Sequence, residues 1–391
     1  MMRQGGHKRR TSHVMIVRRW IPHYRGPFYE ALRSRLDAQG VKLSVVYGHP
    51  RPDDQRYGDT VDLPWGTPIG QRRLRLGRRQ LMWQPGVLRL TRHADLVIVE
   101  QASSLLVNYV LLARAMVGGP AVAFWGHGRN FQAATASRLG EAVKRIVSRR
   151  AHWWFAYNDL SGRVVRDLGY PAARITSVEN AIDTRALVDG RASLDAGDVE
   201  RARRDLGLMG SHVGIYCGGL YEQKRLGALI ESSHRIRVQI PDFELIVVGD
   251  GPQRHLIDRA ARGAPWVHVL GAVHGQGRVP LFALADVFLL PGLVGLAVLD
   301  SFALEVPLVT STTAEHSPEV DYLVDGVNGL IVDDGGDAST YAAAVVQLLN
   351  DRESLARLRA GCRAAAREHT IERMAGQFAG GIVAALQRPR D

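Results

Sequence analysis

Twelve short β-favouring runs, separated by longer amphipathic stretches, constrain this chain more tightly than any other feature. In the first half they are His13–Val17, Lys42–Tyr47, Asp95–Glu100, Ala121–Trp125, His152–Tyr157 and Arg174–Glu179. In the second half they are His212–Cys217, Glu244–Val248, Val267–Leu270, Asp286–Leu290, Pro307–Thr310 and Gly329–Val332. Several are continuous Val, Ile, Leu and Phe, the pattern of parallel strands buried on both faces. Helical stretches lie between them at Phe28–Ala38, Glu141–Arg149, Leu226–Gln239 and Ser339–Leu349. Alternating β and α predicts doubly wound sheets, and twelve strands in 391 residues predict two of them. The polar stretch from Asp183 to Leu208 marks the boundary. The chain therefore divides into a first α/β domain over 1–185, a linker with a short charged helix over 186–208, a second α/β domain over 209–370, and a final segment over 371–391 whose Ile371–Leu386 part is apolar-periodic.

Composition narrows the function classes. With 46% hydrophobic and 23% charged residues the chain has material for large cores and is unlike a disordered sequence. Its two cysteines, Cys217 and Cys362, cannot form a disulfide framework or a four-cysteine zinc site, and they fit a reducing cytosol. The first apolar run, Val14–Val17, meets Arg18 and Arg19 at once, so no secretory leader is expected. No stretch approaches the roughly 18 apolar residues of a membrane helix. The net charge of +11 is confined to one region: residues 1–100 hold 19 Lys and Arg against 8 Asp and Glu, and the rest is balanced at 31 of each. A basic face fits an anionic membrane or anionic substrate, and equally a solvated arginine-rich surface. Gln71–Trp83, with five arginines among Leu, Met and Trp, suits a bilayer surface and reads otherwise as an exposed loop and helix. No recognition-helix, zinc-finger or RNA-binding motif supports nucleic acid as a partner.

Ligands of open α/β sheets sit beyond the carboxyl ends of the strands, so residues just past each run are the candidates. After 212–217 come Gly218, Gly219 and, five residues on, Lys224, a turn that admits a phosphate beside a cation. Taken singly it is also an ordinary βα connection. Asp250 and Pro252 follow the next strand and are expected to cap and open a helix. Past Pro291 lie Gly292 and Gly295, then a helix opening near Leu296 whose free N–H groups can receive an anion, with Asp300 a little over one turn inside. Glu315 to Glu319, including His316, form a further polar segment after a strand.

At this point six pieces stand in a familiar order: the Gly218–Lys224 turn, Val248–Pro252, Val267–Val273, Ala285–Pro291, Gly295–Ala303 and Asp325–Val332. Together they resemble the nucleotide-sugar domain of the retaining family 4 glycosyltransferases. The first half agrees, with Arg19–Phe28 after the first strand, Trp125–Asn130 after a central one, and Val178–Asp183 before the boundary. The resemblance implies the GT-B architecture, two Rossmann-like domains facing across a cleft, with the final helix crossing back to the first. It implies that His127 orients the transferred sugar, Lys224 neutralises the leaving diphosphate and Asp300 holds the ribose. Gly26, Gly218, Gly219, Val273, Gly292, Gly295 and Leu296 line the donor, and Arg25 and Arg129 lie on the acceptor side. No cofactor is implied, and without an Asp-x-Asp pair at a strand end no metal is required. The donor is a nucleoside-diphosphate sugar, and the acceptor a glycan, lipid-linked or small molecule at the inner face of a membrane.

Two positions depart from the family pattern. An arginine is usual where Gly219 stands, and a glutamate where Gly292 stands, with a second glutamate eight positions on, here Asp300. The departures keep two rivals in view: a sugar-nucleotide epimerase or hydrolase of the same architecture, and a catalytically silent nucleotide-binding relative.

Overall fold

The computed structural model describes residues 11–51, 59–77, 79–128 and 149–389. They carry fifteen strands: β1 Ser12–Arg18, β2 Val41–Tyr47, β3 Thr67–Pro68, β4 Arg72–Leu76, β5 Arg79–Trp83, β6 Leu96–Glu100, β7 Ala121–Gly126, β8 Trp153–Ala156, β9 Ile175–Ser177, β10 His212–Cys217, β11 Phe243–Val248, β12 Val267–Gly271, β13 Val287–Leu289, β14 Leu308–Ser311 and β15 Gly329–Val332. The chain separates into two compact units, one made of the residues up to Asn180 together with those from Ile371, the other of Ala181–Thr370.

The first unit is built on a parallel sheet in the order β3-β2-β1-β6-β7-β8-β9. β6 and β7 are buried along their whole length, which is why their sequences are unbroken apolar runs. Helix Ile371–Gln387 belongs to this unit and packs against helix Gly26–Asp37. Its Phe378 stacks on Phe155 at 4.3 Å between centroids and meets Trp125 at 4.9 Å and Phe28 at 5.5 Å. A single residue of the last helix thus ties three others of this core together.

The second unit carries a six-stranded parallel sheet in the order β12-β11-β10-β13-β14-β15. All six residues of β11 are buried. Arg185–Ser193 and Ala196–Asp205 are both helices of this unit, the second opened by a reciprocal Asp195–Asp198 capping box. Both sheets are parallel and doubly wound, as the β/α alternation predicts.

The sequence reading needs two corrections. Gln71–Trp83 is neither loop nor helix: β4 and β5 form an antiparallel hairpin with Arg72 opposite Trp83 and Leu76 opposite Arg79. Leu74 and Leu76 alternate with Arg73 and Arg75, a strand period, and Gly77 makes the turn at φ +58°. Asp250 also does not cap a helix. Its Oδ1 accepts from Gly251 N at 2.7 Å, and helix Arg254–Ala261 starts later, after Gln253. The delay has a cause: Leu220 N donates to Asp250 O at 2.9 Å and Gln253 N to Leu220 O at 2.9 Å, so this turn is pinned to the neighbouring one before the helix can begin. Of the expected helix Glu141–Arg149, residues 141–148 lie outside the described residues.

Candidate functional site

In the second unit, β10 and β13 are neighbours, and the turns that leave their carboxyl ends converge. The first turn carries Gly218, Gly219 and the short 3-10 helix Glu222–Lys224. Lys224 is buried, at 5% exposure. Its Nζ donates to Leu293 O at 2.6 Å and lies 5.6 Å from the Tyr221 ring centre. Among the described residues no carboxylate forms an ion pair with it. Burial therefore dominates, and it pulls the ammonium down to about 8, with Cys217 opposing weakly.

The second turn is fitted against the first. Leu293 N donates to Gln223 O at 2.8 Å. A Cβ on Gly292 would stand 2.3 Å from the Lys224 carbonyl carbon and 2.5 Å from its Cα. Backbone meets backbone there, so no side chain can be accommodated at 292 without moving the lysine. At Gly219 a Cβ would stand 2.5 Å from the Tyr221 ring, which leaves no room for an arginine while that ring keeps its place. Both departures from the family pattern thus have a steric counterpart in this unit.

Arg225, in the left-handed region at φ 53°, clamps the same corner. Its Nη1 donates to Thr313 Oγ1 at 2.6 Å and to Pro291 O and Ser311 Oγ at 3.3 Å. His316 fixes the loop beyond Gly292: Val294 N donates to Nδ1 at 3.1 Å, so Nε2 carries the proton and donates to Ser311 O at 2.8 Å. The histidine is neutral, its pKa lowered first by burial. Its ring nitrogens are thus committed to the protein.

Helix Ala297–Ala303 follows Gly295 and Leu296, both half-buried. At seven residues it offers a few N–H groups rather than a developed dipole. Asp300 lies in its first turn and is buried. Arg278 Nη1 donates to Asp300 Oδ2 at 2.6 Å, while Oδ1 is enclosed without a donor. Burial raises the carboxyl above its usual range, and Arg278 opposes that. Val273, half-buried, belongs to the loop between β12 and Arg278. Arg225 and Arg278 escape the sequence reading. Arg225 has only its adjacency to Lys224 as a signal, and nothing in the order of residues links Arg278 to Asp300.

The first unit places His127 just beyond β7. Its Nδ1 lies 3.2 Å from Ser161 Oγ, and its ring stacks on Tyr157 at 4.0 Å between centroids. Burial, then Arg25, pushes its pKa down to about 4, so it is neutral at physiological pH. Gly128 is held by Gln101, whose amide exchanges two bonds of 2.9 Å with its N–H and carbonyl. Arg25 is buried, bonded through Nη2 to Asn180 Oδ1 and through Nη1 to Met374 Sδ at 3.4 Å. Gly26 opens helix Gly26–Asp37, and a Cβ there would meet only Val61 at 3.7 Å. Arg129 lies outside the described residues. A buried group that the sequence reading passed over sits at the ends of β1 and β6: Glu100 pairs with Arg18 Nε at 3.2 Å and Arg19 Nε at 2.7 Å, and Arg18 lies 4.6 Å from the Trp125 ring centre. Burial alone would raise the Glu100 carboxyl, but the two arginines outweigh it and hold the pKa low.

Comparison with known proteins adds to this geometry. Residues 211–351 match the family described as Glycosyl transferases group 1. The phosphatidyl-myo-inositol mannosyltransferase of Mycolicibacterium smegmatis is 29% identical over 276 residues, 67% of this chain and 64% of that protein. From the same organism, a GDP-mannose-dependent alpha-(1-6)-phosphatidylinositol monomannoside mannosyltransferase is 28% identical over 194 residues, 46% of this chain and 48% of its own length. The chain thus aligns with less than two thirds of either relative. Anabaena HepE, solved with UDP, superposes with a TM-score of 0.66 at 14% identity over 95% of this chain and 99% of its own. A Rickettsia africae glycosyltransferase superposes with 0.69 at 10% identity, over 97% and 100%. The fold is that of the GT-B proteins, two Rossmann-like units. Among the described residues no cluster of His, Cys, Asp or Glu is arranged to hold a metal, and no helix is long and apolar enough to cross a membrane.

Proposed function

We propose that this chain, whose residues 211–351 match the group 1 glycosyltransferases, transfers a sugar from a nucleoside-diphosphate sugar to an acceptor hydroxyl. One observation carries the reading: a buried ammonium, Lys224, at the carboxyl end of the second sheet, with no carboxylate paired to it among the described residues. A buried cation that lacks its own counter-charge fits an anion brought from outside. A diphosphate supplies that charge, and its negative charge grows as the glycosidic bond breaks. Lys224 stabilises the developing charge, a preorganised electrostatic effect worth about 2.7–4 kcal/mol when one such donor is removed. Asp300 accepts from the ribose hydroxyls, and Val273 borders the base. From the first unit, Gly26 is assigned to the donor phosphates and neutral His127 to a hydroxyl of the transferred sugar: its Nδ1–H is held by Ser161 Oγ, whose own proton goes to Asn158 Oδ1, which makes Nε2 the acceptor. Transfer proceeds with retention and without a metal.

The names of the relatives sharpen the substrates. Two act in phosphatidylinositol mannoside synthesis, one named for GDP-mannose. We assign GDP-mannose as the first donor to try and a lipid-linked acceptor as its partner. The hairpin β4–β5, with exposed Leu74 beside exposed Arg72 and Arg75, is the surface assigned to an anionic membrane. Thermal unfolding with UDP, GDP, ADP, CMP and dTDP tests the reading first. A diphosphate at about 100 times its dissociation constant adds roughly 2.7 kcal/mol of stability. No shift with any of them overturns it. Consumption of GDP-mannose without any acceptor product points to the hydrolase instead.

A further inference from the structure

Arg278 has no part in the mechanism above, yet it is the strongest polar partner of the ribose carboxylate. It opens helix Arg278–Ala283 and is largely enclosed. Its Nη1 anchors Asp300 Oδ2 at 2.6 Å. The other oxygen, Oδ1, is buried with no donor among the described residues. A buried acceptor left unbonded is unfavourable, and here the missing donor is not supplied by the protein.

We infer that Arg278 is a positioning residue: it holds the Asp300 carboxylate through Oδ2 and leaves Oδ1 as the one oxygen still to be bonded, so that the site reads one ribose hydroxyl rather than two. The inference rests on the placement of Asp300 at the ribose proposed above. A carboxylate free to turn about its last side-chain bond offers both oxygens to a vicinal diol, as two parallel hydrogen bonds. Aspartate is one methylene shorter than glutamate and its Oδ2 is held by a guanidinium, so turning costs that bond. Oδ1 is enclosed, so the groups that cover it move aside on binding, a step common to every nucleotide that leaves selectivity among riboses to the one unbonded oxygen.

The test compares affinities of the wild-type chain for one nucleoside diphosphate, the member of the UDP, GDP, ADP and dTDP series that shifts melting most, and for its 2′-deoxy and 3′-deoxy forms (for dTDP, the ribo form serves as parent). The expected result is asymmetric: one deoxy form binds about tenfold more weakly, the loss of one buried hydrogen bond, and the other stays within about twofold. In Arg278→Gln the asymmetry disappears and both deoxy forms bind more weakly than the parent, while Arg278→Lys keeps the wild-type pattern. Equal penalties for both deoxy forms in the wild type overturn the inference, as does an Arg278→Gln chain that keeps the asymmetry. The wild-type measurement stands even where Arg278→Gln fails to fold. Absence of binding by every diphosphate overturns the proposed function itself, an outcome distinct from binding without asymmetry.

Discussion

Each unit buries a cation beyond the end of its first strand, and the two are treated differently. In the first unit Arg18 comes with its own counter-charge: Glu100 pairs with it and with Arg19, and the Trp125 ring covers it. In the second unit Lys224 has a carbonyl and a ring but no carboxylate. A buried charge that brings its counter-charge is part of the structure, whereas one without a carboxylate suits the arriving diphosphate proposed above. Burial states the same contrast in pKa terms: it is overcome at Glu100 and prevails at Lys224.

The largest effect that tests this contrast is on stability. Glu100→Gln leaves two arginines at a buried site without their counter-charge and is expected to cost about 3–5 kcal/mol in denaturant unfolding. Lys224→Met removes a buried charge that has a carbonyl but no carboxylate beside it, so its melting temperature should hold or rise. A loss in Lys224→Met as large as that in Glu100→Gln would erase the distinction. Catalysis should show the reverse. Lys224→Met is expected to lower transfer by about 10²–10³-fold in initial rates with saturating donor. Near-wild-type turnover would remove Lys224 from the leaving-group role.

Smaller effects sharpen the picture. Asp300→Ala should weaken diphosphate binding by about 1–3 kcal/mol in calorimetric titration, and unchanged affinity would put the ribose elsewhere. The pH dependence comes last. Lys224 titrates near 8 when folded and at 10.5 by its ordinary value. Between those limits the unfolded chain holds a proton that the folded chain has released, so stability rises with pH across that window. Diphosphate affinity runs the other way, falling by up to about tenfold per pH unit above 8 as the ammonium is lost. Lys224→Met should be flat in both measurements. His127, already neutral well above about 4 in the folded chain, should add no inflection to diphosphate affinity between pH 6 and 8, whereas its share of stability rises with pH from about 4 to 6.5.

How much of this was legible depends on whether a feature leaves a local signature. The twelve main strands did, because parallel strands covered on both faces are written largely as apolar runs such as Leu96–Val99 and Leu245–Val248. The hairpin did not, because the Arg/Leu alternation of Arg73–Leu76 is short and Leu81, Met82 and Trp83 run together in its partner strand, which hides a two-residue period. Lys224 and Asp300 could be picked out from their turns, but their surroundings could not. The Arg278–Asp300 pair joins two elements that no spacing rule relates. Gly292 could be seen as a missing glutamate, while its reason, the backbone of Lys224 pressed against it, exists only once the two turns are folded together.

That contact also sets how this protein can change over generations. With no gap between Gly292 and Lys224, a glutamate cannot be introduced at 292 by one substitution without displacing the lysine on which leaving-group departure is proposed to depend. The glycine acts as a ratchet: any side chain at 292 has to arrive together with a rearrangement of the Lys224 turn.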